Sequence, residues 1–139
     1  YSQTLESELA IVAKRRKSAT EVESMAVIGD IEGKNVLLVD DLTETAGTLT
    51  SAAAILKTKG AKSVLACVSH ALLNDVGIER LRKSVIDELI TTDTVQRPAI
   101  DGVKITTLSV AGLLGEAIKR IHSNSSVNSL FEFKGGRTS

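Results

Sequence analysis

The segment from Asp40 to Thr48 carries the side chains of this chain that are best suited to chemistry, in the order Asp-Asp-Leu-Thr-Glu-Thr-Ala-Gly-Thr. Directly before it, residues 36–39 form an unbroken apolar run, which predicts a parallel strand that is buried on both faces. In open α/β sheets, ligands bind beyond the carboxyl ends of the strands. The segment 40–48 therefore lies where such a fold would place a binding loop.

The second half of this segment has the small residues and hydroxyl groups that suit a phosphate. Ala46 and Gly47 leave the backbone N–H groups uncovered, and Thr45 and Thr48 add hydroxyl donors. Apolar residues recur at helical spacing through 49–56, so we expect a helix to begin at the same point. Free N–H groups and the positive end of the helix dipole attract an anion.

Asp40 and Asp41 are the charged half of the segment. Neighbouring side chains on a strand point to opposite faces, so these carboxylates diverge and cannot share one proton. Diverging carboxylates suit two sugar hydroxyls, or one hydroxyl and a hydrated magnesium ion. Together with the anion site, this pattern matches a ribose phosphate. Taken singly, each residue is more typical of a strand end before a helix N-cap, but the complete pattern favours the binding site.

Apolar runs that alternate with helical patterns predict the elements that position this segment. We expect strands at 9–13, 26–28, 36–39, 64–68, 88–92 and 105–108, and helices at 49–56, at 78–85 and at 110–121. Gly60 suits the position after the first helix, where a positive φ is common. The alternation predicts an α/β fold with a mostly parallel central sheet flanked by helices. A single domain of 139 residues, with a loosely ordered polar tail at 123–139, accounts for the length.

The segment 40–48 resembles the phosphoribosyl pyrophosphate-binding motif of the type I phosphoribosyltransferase fold, and its Thr-Ala-Gly-Thr ending resembles the ribose-phosphate pyrophosphokinases. The segment 14–24, with Lys14-Arg15-Arg16-Lys17, resembles the flexible catalytic loop of that family. Further stretches that resemble the family are 27–31, 69–71, 92–94, 109–118 and 126–131. The resemblance implies the carboxyl-terminal half of such an enzyme, with the amino-terminal half absent. Apolar surface that would pack on the absent half is then expected to be exposed.

The resemblance also implies an activity, which is transfer of the diphosphate of ATP to the C1 hydroxyl of ribose 5-phosphate, with release of AMP. It implies that residues 45–48 hold the 5-phosphate, and that Asp40 and Asp41 hold the ribose hydroxyls and help to position Mg²⁺. Lys14 and Arg16 would close over the transferring group. The family places much of its ATP site in the amino-terminal half and a neighbouring subunit of a homo-oligomer. We therefore expect this chain alone to bind ribose 5-phosphate with little or no turnover.

Two departures from the family pattern leave alternatives open. Glu44 stands where the family has Asp, so its contact with the sugar phosphate is expected to be lengthened or redirected. Residues 73–75 replace a Ser-Gly pair in a loop that the family links to nucleotide contacts and regulation, which leaves regulation open. One alternative is a non-catalytic regulatory homologue. Another is a base phosphoribosyltransferase of the same fold, although its base clamp would need more aromatic residues than this chain has.

Composition narrows the classes of partner. Lys plus Arg and Asp plus Glu both number 17, so the formal net charge is +0, which argues against nucleic acid as a partner. Cys67 is the single cysteine, so no intrachain disulfide forms, and this suits a reducing compartment. No apolar stretch approaches the roughly 20 residues that span a bilayer, and no signal-peptide pattern occurs. We expect a cytoplasmic protein with no membrane partner.

Overall fold

A computed structural model describes residues 2–15, 24–96 and 100–131 of the chain. Residues 10–108 form one compact unit, and the flanking residues form a second. The elements are β1 (Ile11–Arg15), β2 (Ser24–Ile28), β3 (Asn35–Thr43), α1 (Gly47–Thr58), β4 (Ser63–Ala71), α2 (Asp75–Arg82), β5 (Glu88–Thr92), β6 (Ile105–Leu108), α3 (Ala111–His122) and a 3-10 helix (Asn128–Leu130).

The larger unit is built on a parallel sheet of four strands in the order β3-β4-β5-β6. This spatial order repeats the order along the chain, with α1 connecting β3 to β4 and α2 connecting β4 to β5. Val39 pairs with Cys67, which in turn pairs with Ile90, so the carboxyl ends of these strands lie at one edge of the sheet. The predicted α/β class with a mostly parallel sheet is confirmed.

Helix α1 packs its predicted face on this sheet. Its buried residues are the four whose spacing predicted the helix, namely Leu49, Ala52, Ala53 and Leu56. Opposite them, the buried residues of β4 alternate as Val64, Ala66 and Val68, which gives one apolar face. Gly60 follows the C-cap Lys59 with a φ of 92°, so the prediction of a positive φ after the helix is confirmed.

Strands β1 and β2 form a separate antiparallel pair in the same unit. Val12 and Val27 pack against the buried cluster that contains Ile31 and Leu56. The pair therefore lies over the end of α1, although it adds no strand to the parallel sheet.

The structure corrects two predictions about β3. Its apolar run is not buried on both faces, because α1 covers only the side that carries Val36 and Leu38. On the other side, Leu37 is 39% exposed and Val39 is 41% exposed. The strand also continues beyond the apolar run to Thr43, so the two aspartates lie inside the strand rather than after it.

The second helix is shifted toward the amino terminus, since it spans Asp75–Arg82 whereas its apolar pattern predicted 78–85. Helix α2 ends at Arg82, so Val85 lies outside it and is 43% exposed. The side chain of Ser84 donates to the carbonyl oxygen of Leu81 at 2.8 Å, and its backbone N–H donates to the same oxygen at 3.1 Å. These bonds satisfy the last turn and stop the helix, as local Ser hydrogen bonds commonly do.

In the smaller unit, Arg120 joins α3 to the residues that follow it. Its side chain donates to Glu116 Oε1 at 2.8 Å, to the carbonyl oxygen of Ser126 at 3.2 Å, and to Ser129 Oγ. Residues 132–139 of the expected tail lie outside the described residues. Within the part of the chain that is described, no helix is both long enough and apolar enough to cross a membrane.

Candidate functional site

The segment 40–48 spans the end of β3, a short connection and the start of α1. Asp40 and Asp41 lie within β3, and α1 begins at Gly47. Because β3 and β4 are parallel, the connection leaves the sheet at the edge where both strands have their carboxyl ends. The structure thus places the predicted loop at the edge where ligands bind in such sheets.

Ala46 gives the connection its sharp turn. Its φ of 53° and ψ of 12° put it in the left-handed region, and its side chain is 2% exposed. It is the N-cap residue of α1, and it has no side-chain oxygen that could accept from the first-turn N–H groups. The first turn therefore lacks the usual internal cap, and an anion can take that place.

The backbone carbonyl groups of the connection all accept hydrogen bonds. The carbonyl oxygen of Ala46 accepts from Thr50, through the backbone N–H at 2.9 Å and the hydroxyl at 2.8 Å. Three further carbonyl groups accept from the segment 72–80. Those bonds run from Leu72 N to Thr43 O (2.9 Å), from Asn74 N to Glu44 O (3.2 Å) and from Arg80 Nη1 to Thr45 O (3.1 Å).

The carboxylates of Asp40 and Asp41 are exposed. The backbone N–H of Asp41 donates to Asp40 Oδ1 at 3.0 Å, which fixes one oxygen of that carboxylate. Within the described residues, no group of three or more His, Cys, Asp or Glu side chains is placed to hold a metal ion. Two carboxylates without further protein ligands fit Mg²⁺, which usually binds through one or two carboxylates, water and a substrate phosphate.

The remaining predicted contacts of the loop are exposed. Glu44, Thr45 and Thr48 all present their side chains to solvent beside the start of α1. Thr43, between the aspartates and Glu44, is instead 6% exposed and is part of the interior. The predicted hydroxyls, backbone N–H groups and carboxylates thus lie along one short stretch of chain, and their role in binding stays a prediction.

The predicted catalytic pair is not brought to this site by the described structure. Lys14 lies on β1, where its backbone pairs with Met25, and nothing is described of its side chain. The bounds of the predicted loop 14–24 are corrected, because residues 14 and 15 lie on β1 and residue 24 lies on β2. Arg16 and the rest of the loop, up to residue 23, lie outside the described residues. The catalytic role of Lys14 and Arg16 stays a prediction.

Two features near the loop were not predicted as parts of the site. One is Arg80, whose partner Thr45 is 35 positions away in sequence. The other is a group of polar side chains at the ends of β4 and β5, where His70 Nδ1 lies 2.8 Å from Thr94 Oγ1, and Thr92 Oγ1 donates to the carbonyl oxygen of Ser69 at 2.7 Å. In the sequence, the stretches 69–71 and 92–94 resemble a family pattern, but the sequence assigns them no role.

Comparison with known proteins identifies one matching family, and the names of the similar proteins agree with that family. The model of the phosphoribosyl synthetase-associated domain matches residues 2–132. A ribose-phosphate pyrophosphokinase from Campylobacter jejuni is 48% identical over 125 residues, which are 89% of this chain and 40% of that protein. A second, from Gloeobacter violaceus, is 48% identical over 124 residues, which are 88% of this chain and 37% of the relative.

A solved structure agrees with these relatives. The crystal structure of phosphoribosylpyrophosphate synthetase from Mycobacterium smegmatis aligns with a TM-score of 0.76 and 31% sequence identity. The alignment covers 89% of this chain and 40% of that chain. The chain therefore spans about 40% of the length of the relatives that it matches.

Proposed function

Because the chain belongs to the phosphoribosyl synthetase-associated domain family, we propose that it supplies the ribose 5-phosphate site of a ribose-phosphate diphosphokinase. That enzyme transfers diphosphate from ATP to the C1 hydroxyl of ribose 5-phosphate and gives 5-phosphoribosyl 1-diphosphate and AMP. ATP would be bound largely by parts of the full-length protein outside this chain, and the full-length protein would be a homo-oligomer.

The observation that carries the proposal is the uncapped start of α1. The left-handed Ala46 turns the chain so that Gly47 and Thr48 open the helix without a side-chain cap. Their N–H groups, with the hydroxyls of Thr45 and Thr48, would hold the 5-phosphate at the positive end of the helix. A phosphate fixed there leaves the sugar to extend along the end of β3, toward its two carboxylates.

The carboxylates would orient the sugar. Asp40 and Asp41 would accept hydrogen bonds from the ribose hydroxyls, and this fixes the direction of the C1 hydroxyl. Mg²⁺ held beside them would neutralise charge on the transferring diphosphate when it is bound. Since phosphoryl transfer depends chiefly on alignment, holding both ends of the sugar phosphate is the main contribution of this segment.

Lys14 and Arg16 would add the positive charge that the transfer needs. In the proposed reaction, the C1 oxygen forms a bond to the β-phosphorus of ATP, the bond from that phosphorus to the AMP oxygen breaks, and the hydroxyl proton is lost. Negative charge spreads over the phosphoryl oxygens during this step. Arg16 can bind two such oxygens at once, whereas Lys14 offers a single point of charge.

The direct test is calorimetric titration of ribose 5-phosphate into this chain with magnesium. We expect saturable binding that weakens about tenfold or more in Asp41→Asn and in Thr48→Val, as is typical for the loss of a hydrogen bond to a charged group. Asp101→Asn and Thr58→Val are the matched controls, and they should bind as the unchanged chain does. Thr58 lies at the opposite end of α1, where its hydroxyl donates to Ala54.

Two results would count against the proposal. If the folded chain shows no binding, or if the loop variants bind as tightly as the controls, the segment 40–48 is not the ribose 5-phosphate site. A second assay follows AMP release by the full-length protein. Binding without AMP release would favour the regulatory homologue, which Glu44 in place of Asp already makes worth testing.

A further inference from the structure

We propose that Arg80 and the first turns of α2 are positioning groups that hold the segment 43–47 in its anion-binding conformation. We call residues 72–80 the backing segment. This inference rests on the proposed function for what the loop binds, but the backing contacts themselves belong to the fold of the larger unit. Arg80 acts here through the loop backbone, so it is a positioning residue.

The backing segment fixes the direction of the peptide groups in the loop. In a planar trans peptide, the C=O of one residue and the N–H of the next point in opposite directions. The backing segment holds the carbonyl groups of Thr43, Glu44 and Thr45 through three hydrogen bonds of 2.9 to 3.2 Å. The N–H groups of residues 44–46 must therefore point away from it. Successive N–H groups turned to one side form a concave site for an anion.

The backing segment approaches the loop closely. A Cβ atom added at Gly77 would lie 2.3 Å from the carbonyl oxygen of Glu44. A Cβ added at Gly47 would lie 3.0 Å from Arg80 Nη1. Both glycines thus make room for the contact, one on each side of it. Gly77 lets α2 approach the loop at backbone distance, and Gly47 leaves room for the side chain of Arg80.

Arg80 differs from the other two donors of the backing segment in the group that it uses. Leu72 and Asn74 use their backbone N–H groups, so their bonds do not depend on side-chain type. Arg80 is the one member of the three that donates through its side chain. Its guanidinium carries a positive charge and has five donors. It therefore orients the peptide between Thr45 and Ala46, next to the start of α1, and places positive charge there.

The chain offers a matched control for this residue. Arg82 lies on the same helix and also donates to a backbone carbonyl, from its Nε to Asp101 O at 2.9 Å. Its partner lies outside the segment 43–47. Arg80→Gln and Arg82→Gln thus remove the same charge and the same type of bond from α2, but only the first touches the loop.

Two measurements on this chain test the inference. Amide hydrogen exchange of Asn74 and Thr50, whose N–H groups donate to the carbonyl oxygens of Glu44 and Ala46, should become about tenfold faster without ligand in Arg80→Gln and stay unchanged in Arg82→Gln. The dissociation constant for ribose 5-phosphate with magnesium should rise about tenfold in Arg80→Gln alone, because the hydrogen bond from this side chain to the loop is lost. Arg80→Lys should recover part of both effects, because it keeps the charge but not the planar geometry.

The outcomes distinguish this inference from the function on which it rests. Unchanged exchange in Arg80→Gln, or equal acceleration in Arg82→Gln, overturns the positioning role even when ribose 5-phosphate binds. If the unchanged chain does not bind ribose 5-phosphate, the proposed function fails, while faster exchange confined to Arg80→Gln still supports the backing segment. Binding that is weakened equally in both arginine variants would point to a general effect of charge and would also overturn it.

Discussion

At the scale of single residues, Ala46 shows how the loop tolerates an unusual conformation. A left-handed backbone costs a non-glycine residue roughly 1–2 kcal/mol. The methyl group of Ala46 is 2% exposed and belongs to the buried cluster that includes Leu49 and Ala66. Burial of one such carbon stabilises by about 0.8 kcal/mol, which offsets much of that cost. Alanine at this position therefore anchors the turn in the core, which glycine would not do.

Thr91 has a buried hydroxyl group that makes no hydrogen bond within the described residues. The residue is 1% exposed. A buried unsatisfied hydroxyl costs about 1–3 kcal/mol. We expect Thr91→Val, which keeps the shape, to raise the free energy of unfolding by about 1 kcal/mol and the melting temperature by a few degrees. Thermal denaturation followed by circular dichroism measures this.

The adjacent threonine provides the control. Thr92 is partly buried, and its hydroxyl donates to the carbonyl oxygen of Ser69 at 2.7 Å. Thr92→Val should therefore lower the melting temperature. Equal destabilisation by both substitutions would mean that the hydroxyl of Thr91 is in fact satisfied.

At the scale of elements, α2 serves the loop as well as the sheet. Its N-cap Asn74 accepts from Gly77 N at 2.9 Å through its side chain and donates from its own N–H to the carbonyl oxygen of Glu44. The cap that starts α2 is thus also a contact with the connection before α1. The conformation at the start of α2 therefore depends on the conformation of the connection that leads into α1.

Gly77→Ala tests this closeness. The added methyl group would lie 2.3 Å from Glu44 O, so either α2 or the loop must move. We expect a loss of about 1–3 kcal/mol in the free energy of unfolding, as is typical of overpacking. Affinity for ribose 5-phosphate should fall as well. Urea denaturation and calorimetry measure the two effects.

A glycine in another helix gives the opposite expectation. Gly115 lies in α3, where an added Cβ would meet nothing within 4 Å. Gly115→Ala should stabilise by about 0.5–1 kcal/mol, because alanine is the better helix former. If Gly77→Ala also stabilised the chain, the close approach of α2 to the loop would be wrong.

The sequence predicted helices and strands better than it predicted the contacts that they make with other parts of the chain. Periodicity located β5, β6 and the buried face of α1, because each depends on residues close together in the chain. Periodicity placed Val85 inside α2, but the helix ends before that residue, where the side chain of Ser84 donates to the carbonyl oxygen of Leu81. The sequence predicted the composition of the loop but not its contact with Arg80, which depends on how β4 and α2 fold back over 35 positions.

At the scale of the whole molecule, one face of the sheet is open in the chain described here. Leu37 and Val39 on β3 lie on this face, and the strand register places Cys67 beside Val39 and Ile90 beside Cys67 on the neighbouring strands. Leu108 on β6 lies on the same face and is 54% exposed. Parallel sheets are ordinarily covered on both faces. Exposed apolar area of this kind promotes binding to other apolar surfaces, including other copies of the chain.

Neighbouring leucines on β3 make this testable. Leu37→Lys should change the free energy of unfolding by only about 0.5 kcal/mol, because Leu37 faces outward. It should also lower binding of a hydrophobic dye and self-association in sedimentation. Leu38→Lys, which places a charge in the core, should unfold the chain. Severe destabilisation by Leu37→Lys would show instead that this face is covered in solution.

The sequential strand order of the larger unit has a consequence for how the chain folds. Since β4 pairs with β3, β5 with β4 and β6 with β5, each strand meets its partner as soon as one crossover connection is complete. Closing short connections loses less entropy than closing long ones, so such contacts form early. The parallel sheet can therefore assemble in the direction of synthesis, with each new strand joining an edge that already exists. The smaller unit combines residues 1–9 with residues from 109 onward, so its formation must wait until the segment that follows β6 has left the ribosome.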